Sequence, residues 1–219
     1  IPGKEYVVEG LLEEGAWETL AIFSKPDHMS GPFFEETIYV SSSGLDAEVE
    51  RGLIDLVRST CRSYRLRHGP IHAECRVNDG GTWLIELAPR TIGGRCGKIL
   101  QTNIEQSLEE IIILNALGKR PSIKMSQEAV GAMMIPVPGS GILRRVEGIE
   151  NAKTVNYIDD IEIDVHPGQR LIPWPEGSPY PGFIFSKGPD GEVVTRALRD
   201  AHARLRFVLA PELPLIVNS

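Results

Sequence analysis

Gly69-Pro70-Ile71-His72-Ala73-Glu74-Cys75-Arg76-Val77, then Asn78-Asp79-Gly80-Gly81, then Thr82-Trp83-Leu84-Ile85-Glu86-Leu87-Ala88-Pro89-Arg90 is the stretch whose reading decides the fold. Apolar and polar residues alternate on both sides of a turn signal, the pattern of two antiparallel strands in a hairpin. With Asp79-Gly80-Gly81 as the loop, or with a longer loop in the same register, Glu74 faces Glu86, His72 faces Ala88 and Arg76 faces Leu84. Successive strand side chains point to opposite sides. Ile71, Ala73, Cys75, Val77, Trp83, Ile85 and Leu87 therefore share an apolar face, and His72, Glu74, Arg76, Glu86 and Arg90 share the other.

Directly opposed residues have Cβ atoms about 5 Å apart, and like charges placed there repel. At an effective dielectric near 20 the repulsion is about 3 kcal/mol before screening. The pair needs a counter-charge, a shared proton or full exposure to water. A divalent cation held by both carboxylates meets the first need, since Mg²⁺ is commonly bound by one or two carboxylates together with substrate phosphates. The alternative is a solvated hairpin face neutralised by Arg76.

The bulk properties narrow the setting. A chain of 219 residues forms one large domain or two small ones and buries roughly 70% of its unfolded surface. The net charge of −7, with no Lys/Arg block, argues against nucleic acid as the principal partner. No apolar run is long enough for a membrane span. Cys61, Cys75 and Cys96 are odd in number and lack metal-ligand spacing, which reads as reduced thiols in a cytoplasmic protein. The histidines are scattered, which argues against zinc. The start, Ile1-Pro2-Gly3-Lys4, reads as neither a signal peptide nor an initiation, and so as a chain entered partway through a fold.

Around the hairpin, Glu5 to Leu12, Trp17 to Phe23 and Glu36 to Val40 read as strands, with Pro26 to Phe34 as a polar working loop. Val49, Leu53, Leu56, Val57, Cys61 and Tyr64 recur at helical spacing and predict an amphipathic helix over 46–64. Thr91 to Thr102 reads as a Gly-rich loop. Ser107 and Glu110 form a capping-box pattern before a helix over 108–117, which Gly118 ends. Beyond Ser122 come short strands, at 129–136, 141–149, 161–165 and 183–187. A final helix opens at Pro189-Asp190-Gly191, with Val194, Ala197, Leu198, Ala201, Leu205 and Val208 as its buried stripe. Trp17, Trp83 and Trp174 are assigned to packing.

His72-x-Glu74, then Glu86-x-x-x-Arg90, then Gly93-Gly94 resembles the metal-binding core of ATP-grasp ligases. Gly3-x-Glu5-Tyr6-x-Val8 is similar to that family's Gly-x-Glu strand. Phe23-Ser24-Lys25-Pro26, Gly31-Pro32-Phe33-Phe34-Glu35-Glu36 and Gly69-Pro70-Ile71-His72-Ala73-Glu74 are most similar to the branch of L-amino acid ligases and carbamoyl-phosphate-synthase-like proteins, as is the segment from Gly182 to His202. The resemblance implies an α+β (α/β) fold. Residues 1–121 are then the metal- and phosphate-binding C-terminal subdomain of the ATP-grasp unit, mainly antiparallel sheet with flanking helices. Residues 122–219 are a smaller β-rich subdomain ending in a helix. The N-terminal and lid domains are expected to lie upstream.

The resemblance further implies ATP with Mg²⁺ (or Mn²⁺) as cofactors and a small carboxylate and an amine, such as an amino acid, as substrates. It leaves a homodimer open. Glu74 and Glu86 carry over as metal ligands, Arg90 as the catalytic cation, and Glu5, His72, Gly93 and Gly94 as further nucleotide-binding positions. Arg95 and Lys98 are candidate substrate-carboxylate contacts, and Glu36 a candidate active-site acid. Where many members carry Asn two residues after the second acid, this chain has Ala88. The expected reaction is carboxylate activation as an acyl phosphate followed by amide formation, with residues 1–219 inactive alone. Two other classes stand beside it. A glycosidase also uses paired acids, but aromatic sugar platforms are scarce here. A regulatory domain derived from an ATP-grasp unit without catalysis fits Ala88.

Overall fold

The computed structural model describes residues 1–27, 37–41, 44–93, 95–104, 106–119, 121, 123, 128–177 and 180–211. The chain begins with the hairpin β1 (Lys4–Glu13) and β2 (Ala16–Lys25), followed by β3 (Ile38–Ser41) and helix α1 (Ala47–Ser63). The hairpin β4 (Gly69–Asn78) and β5 (Gly81–Ala88) comes next, then α2 (Cys96–Asn103) and α3 (Leu108–Ala116). The second half contains β6 (Ala129–Met134), β7 (Gly141–Glu147), α4 (Ile149–Lys153), β8 (Ile158–Ile163), β9 (Arg170–Leu171), β10 (Gly182–Gly188), α5 (Gly191–His202) and β11 (Arg206–Ala210).

Eight strands form one antiparallel sheet in the order β5-β4-β1-β2-β3-β6-β10-β8, and β11-β7-β9 form a second. The expected boundary near residue 122 falls beside residues that are not described, and the large sheet continues across it through the β3–β6 pairing. Strand alternation gives this sheet two different faces. One packs Tyr6, Val8, Ile71, Ala73 and Cys75 beneath Leu53, Val57 and Cys61 of α1, while α5 covers Val40, Ala129 and Ile184 with Val194 and Leu198. The other packs Val7, Phe23, Tyr39 and Phe185 against Cys96, Ile99, Leu100 and Ile111 of α2 and α3.

Local chemistry explains several boundaries. Ser107 Oγ accepts the Glu110 N–H at 3.0 Å and starts α3, and Asp190 Oδ1 accepts the Val193 N–H at 2.8 Å and starts α5. Both are side-chain caps on orphan helix donors. Where the sequence predicts a loop over 91–102 the structure has α2. Gly97 disfavours helix locally, and burial of Cys96, Ile99 and Leu100 outweighs that cost. The last helix stops at His202. Leu205 and Val208 leave its stripe because residues 206–210 pair with β7 as β11. The indoles of Trp83 and Trp174 are exposed rather than packed in the core, at 44% and 45%.

The two hairpins share a device that alternation alone hides. Each has a two-residue turn and then one extra residue on the returning strand. Glu13 pairs with Ala16 and Gly10 with Thr19, but Glu9 pairs with Ala21, leaving Leu20 as a β-bulge. Asn78 pairs with Gly81 and Cys75 with Leu84, but Glu74 pairs with Glu86, leaving Ile85 extra. The expected three-residue loop gives the right partners at the Glu74 end and the wrong ones at the turn. Arg76 faces Trp83, and Leu84, not Ile85 or Trp83, turns toward α1.

Candidate active site

One face of β1, β4 and β2 gathers charge. Parity along β1 puts Glu5, Val7 and Glu9 on the same side, and the register sets Arg76, Glu74 and His72 opposite them. Lys25, at the end of β2, stands opposite Glu5. Its Nζ lies 2.6 Å from Glu5 Oε1 and 3.2 Å from Glu74 Oε1, and 5.1 Å from the centre of the Tyr39 ring. Arg76 donates to Glu5 Oε2 from Nε at 3.0 Å. Glu5, Glu9, Lys25 and His72 are all buried. Buried charges are tolerated only when paired and hydrogen-bonded, as these are.

Glu74 and Glu86 are direct cross-strand partners. Their side chains differ in environment, 20% exposed for Glu74 and 56% for Glu86. Counter-charges meet the repulsion: Lys25 and His72 Nε2, at 3.2 and 3.6 Å, both approach Glu74 Oε1, and Arg90 lies 3.7 Å from Glu86. The His72 imidazolium facing it, with help from Lys25 and against the cost of burial, holds the Glu74 carboxyl down at about 2. Arg90 sits beyond the end of β5, in a bend closed by its own N–H to Ala88 O, and not on the strand as the alternation suggests.

His72 is 3% exposed. Burial pushes its pKa down, but the carboxylates of Glu74 and Glu9 outweigh this and raise it to about 9. As an imidazolium it donates from both ring nitrogens, Nδ1 toward Glu9 and Nε2 toward Glu74. Burial raises the pKa of Glu9 itself, against the opposing pull of His72 and the Ile92 N–H. Glu9 Oε2 also accepts the Ile92 N–H at 3.2 Å. Neighbouring Cys75 takes no part in nucleophilic chemistry, since burial and then the Glu74 and Glu5 charges push its thiol up to about 12.

The structure thus brings together Glu5, His72, Glu74, Glu86 and Arg90. Gly93 follows in the loop beyond Arg90 and is exposed; among the described residues a Cβ there would meet only Arg90 Nη1, at 3.9 Å, so the backbone on that side is open to close approach by a ligand. Gly94, Glu36 and most of the Pro26 to Phe34 loop lie outside the described residues. Arg95 and Lys98 turn elsewhere. Arg95 pairs with Glu162 and with Asp164 at 2.7 Å, and Lys98 with Asp160 and Glu162, each at 2.7 Å. Glu9 and Lys25 are the residues that sequence reasoning missed. Strand parity marks Glu9, four positions after Glu5, but the Leu20 bulge shifts the β1–β2 register by one and conceals Lys25.

Two opposed carboxylates supply hard oxygen donors suited to Mg²⁺. Both ion pairs of Glu74 use Oε1, which leaves Oε2 without a protein partner among the described residues, and Glu86 is open to solvent. The residues fit a cation that completes its shell with phosphate oxygens and water. Among the described residues no group of three or more His, Cys, Asp or Glu could hold a metal by itself.

Residues 1–99 match the ATP-grasp domain family, and residues 133–210 match L-amino acid ligase C-terminal domain 2. The first 99 residues are those of an ATP-grasp domain. It is similar to the crystal structure of L-amino acid ligase from Bacillus licheniformis, at 26% identity and a TM-score of 0.84 over 96% of this chain and 53% of that one. It shares the fold of phosphoribosylglycinamide synthetase from Anaerococcus prevotii, at 15% identity and a TM-score of 0.79 over 96% and 54% of the two chains. The Sinorhizobium fredii protein y4rH is 21% identical over 96% of this chain and 43% of its own length. The chain thus spans about half the length of the relatives it matches. Its α+β architecture is that of the ATP-grasp neighbours, and the charged face of β1, β2, β4 and β5 lies within the residues matching the ATP-grasp domain. No helix among the described residues is long and apolar enough to cross a membrane.

Proposed function

We propose that this chain supplies the metal- and phosphate-binding half of an ATP-dependent carboxylate–amine ligase. The observation that carries the reading is the pairing of Glu74 with Glu86 across a hairpin, with Arg90 3.7 Å from Glu86. In this reading Glu74 and Glu86 hold Mg²⁺ or Mn²⁺, which when bound neutralises charge on the phosphates. Arg90 stabilises the phosphoryl group in transfer, and the open backbone at Gly93 and Gly94 approaches its oxygens. His72 steadies Glu74. Glu5 reaches the ATP ribose by exchanging one of its two cationic partners, Lys25 or Arg76.

The substrate carboxylate attacks the γ-phosphorus, the bond to the bridging oxygen breaks and ADP leaves. The amine then attacks the acyl carbon, phosphate departs, and the nitrogen gives up a proton. Little of this requires covalent help from the protein, so a rigid hairpin is a suitable platform. The match of residues 133–210 to an L-amino acid ligase domain supports amino acids as substrates. In the same proposal residues 1–121 are the nucleotide unit and residues 122–219 the second unit. The buried free cysteines favour the cytoplasm, and activity belongs to a chain that includes the remainder of the relatives' length.

Glu86→Gln in the full-length protein tests the reading: ADP formation is lost while circular dichroism is unchanged. Undiminished turnover overturns it, and micromolar ATP affinity of residues 1–219 alone contradicts their expected weak binding. Ala88 favours a second reading. It faces His72 and offers no donor beside Glu86, as in a regulatory domain without catalysis; ADP formation by the wild-type protein excludes that.

A further inference from the structure

Glu9 is the most deeply buried charged side chain among the described residues, 1% exposed, and the ligase reading gives it no task. A carboxylate in such a place is costly unless every oxygen is satisfied. Both are. One oxygen meets His72 Nδ1, and the other accepts the Ile92 N–H at 3.2 Å. These two partners belong to different parts of the site. His72 stands two residues before Glu74 on β4 and faces its Oε1 at 3.6 Å. Ile92 lies two residues after Arg90 and one before Gly93, where the chain leaves β5 for α2. An apolar side chain at position 9 would fill the same space and hold neither.

We infer that Glu9 is a positioning residue that locks the His72 ring and the Arg90–Gly93 loop into one arrangement around Glu74. The inference rests on the ligase reading, in which Glu74 is a metal ligand. It follows a general rule for metal sites: partners one step removed from the ligand fix its orientation, and their loss typically costs about 10- to 100-fold in affinity or activity. Glu9 differs from a residue that merely supports the sheet, because its bonds run to the two segments that carry the reacting groups, one of them through the backbone of the core residue Ile92.

The test uses the full-length protein with Glu9→Gln and Glu9→Leu. Glutamine keeps an acceptor for Ile92 but loses the charged bond to His72, and leucine loses both. In the metal-free protein the imidazole ¹⁵N signals of His72 shift in both variants, and amide exchange at Ile92 quickens in Glu9→Leu. Mn²⁺ affinity in the presence of a non-hydrolysable ATP analogue, read by electron paramagnetic resonance, falls about 10-fold in Glu9→Gln and further in Glu9→Leu. Folded variants with wild-type Mn²⁺ affinity overturn the inference, even if they melt at lower temperature. If Glu9→Leu does not fold, Glu9→Gln decides. Glu86→Gln runs in parallel: should it retain Mn²⁺, the ligase reading has failed, and the metal-free ¹⁵N and exchange data then decide whether Glu9 holds the two segments.

Discussion

Glu5 and Lys25 form a buried ion pair between neighbouring strands, Oε1 to Nζ 2.6 Å, and the same ammonium reaches Glu74 at 3.2 Å. A hidden charge is thereby shared between the proposed ribose contact and a proposed metal ligand. Removing one member of such a pair strands the other. Lys25→Met should cost about 3 kcal/mol of stability, and adding Glu5→Gln should recover part of that loss. Urea denaturation of the two single variants and the double variant measures the coupling. Strictly additive losses would show that Lys25 and Glu5 do not stabilise each other.

The pH dependence of stability follows from two groups with opposite signs. Glu74 has its folded pKa depressed to about 2, so its contribution is present above the ordinary carboxylate value of 4.5 and is lost as pH falls toward 2. His72 has its folded pKa raised to about 9, so its contribution is complete below 6.5 and disappears as pH rises through 9. Stability should be greatest between pH 4.5 and 6.5 as far as these two groups are concerned. Between pH 6.5 and about 9 most of the His72 contribution, about 3 kcal/mol, should be lost. His72→Asn should flatten that alkaline limb in a series of urea titrations; an unchanged slope rules out His72 as its source.

Helix α5 crosses the sheet at a point where only glycine fits. A Cβ on Gly131 would stand 2.6 Å from Val194 Cγ1 and 3.1 Å from the Tyr39 carbonyl oxygen. Gly131→Ala therefore forces either the helix or β3 to move, at a cost of about 1–3 kcal/mol. Thermal melting reads this directly, and a melting temperature equal to the wild type's would mean that the α5 contact is looser than the distances imply.

The charges on α2 and β8 join the segments that match two different families. Lys98 meets Asp160 and Glu162, each at 2.7 Å, and also lies 4.3 Å from the Phe185 ring centre. These groups are partly exposed, so the expected stability loss for Glu162→Gln is small, under about 1 kcal/mol. Local protection is the sharper measure. Amide exchange over residues 96–103 should quicken in Glu162→Gln while exchange in α1 stays unchanged; equal protection in α2 would show that its apolar side chains alone hold it down.

Much of this molecule can be read from local pattern. The strands and helices that alternate or repeat cleanly, such as β4, α1 and α3, announce themselves, as does the opposition of Glu74 and Glu86. Elements whose local preferences are poor do not. The helix at Cys96–Asn103 contains a glycine and no acidic residue in its first turn, and it exists because the apolar residues on one of its sides are buried against the sheet. The strand at Arg206–Ala210 reads as helix until its partner, β7, is in place.

The amino-acid sequence by itself determined the hairpin, the family resemblance and the pairing of two acids, because a period of two is written in adjacent residues. Tertiary structure alone decided which charges meet. The bulges at Leu20 and Ile85 each shift a register by one residue, and a shift of one residue turns every side chain beyond it to the other face. That is why Lys25 arrives opposite Glu5 and why Trp83 and Ile85 are exposed rather than buried, whereas Glu9 meets His72 through the unbroken β1–β4 register and the backbone of Ile92 through the loop after β5.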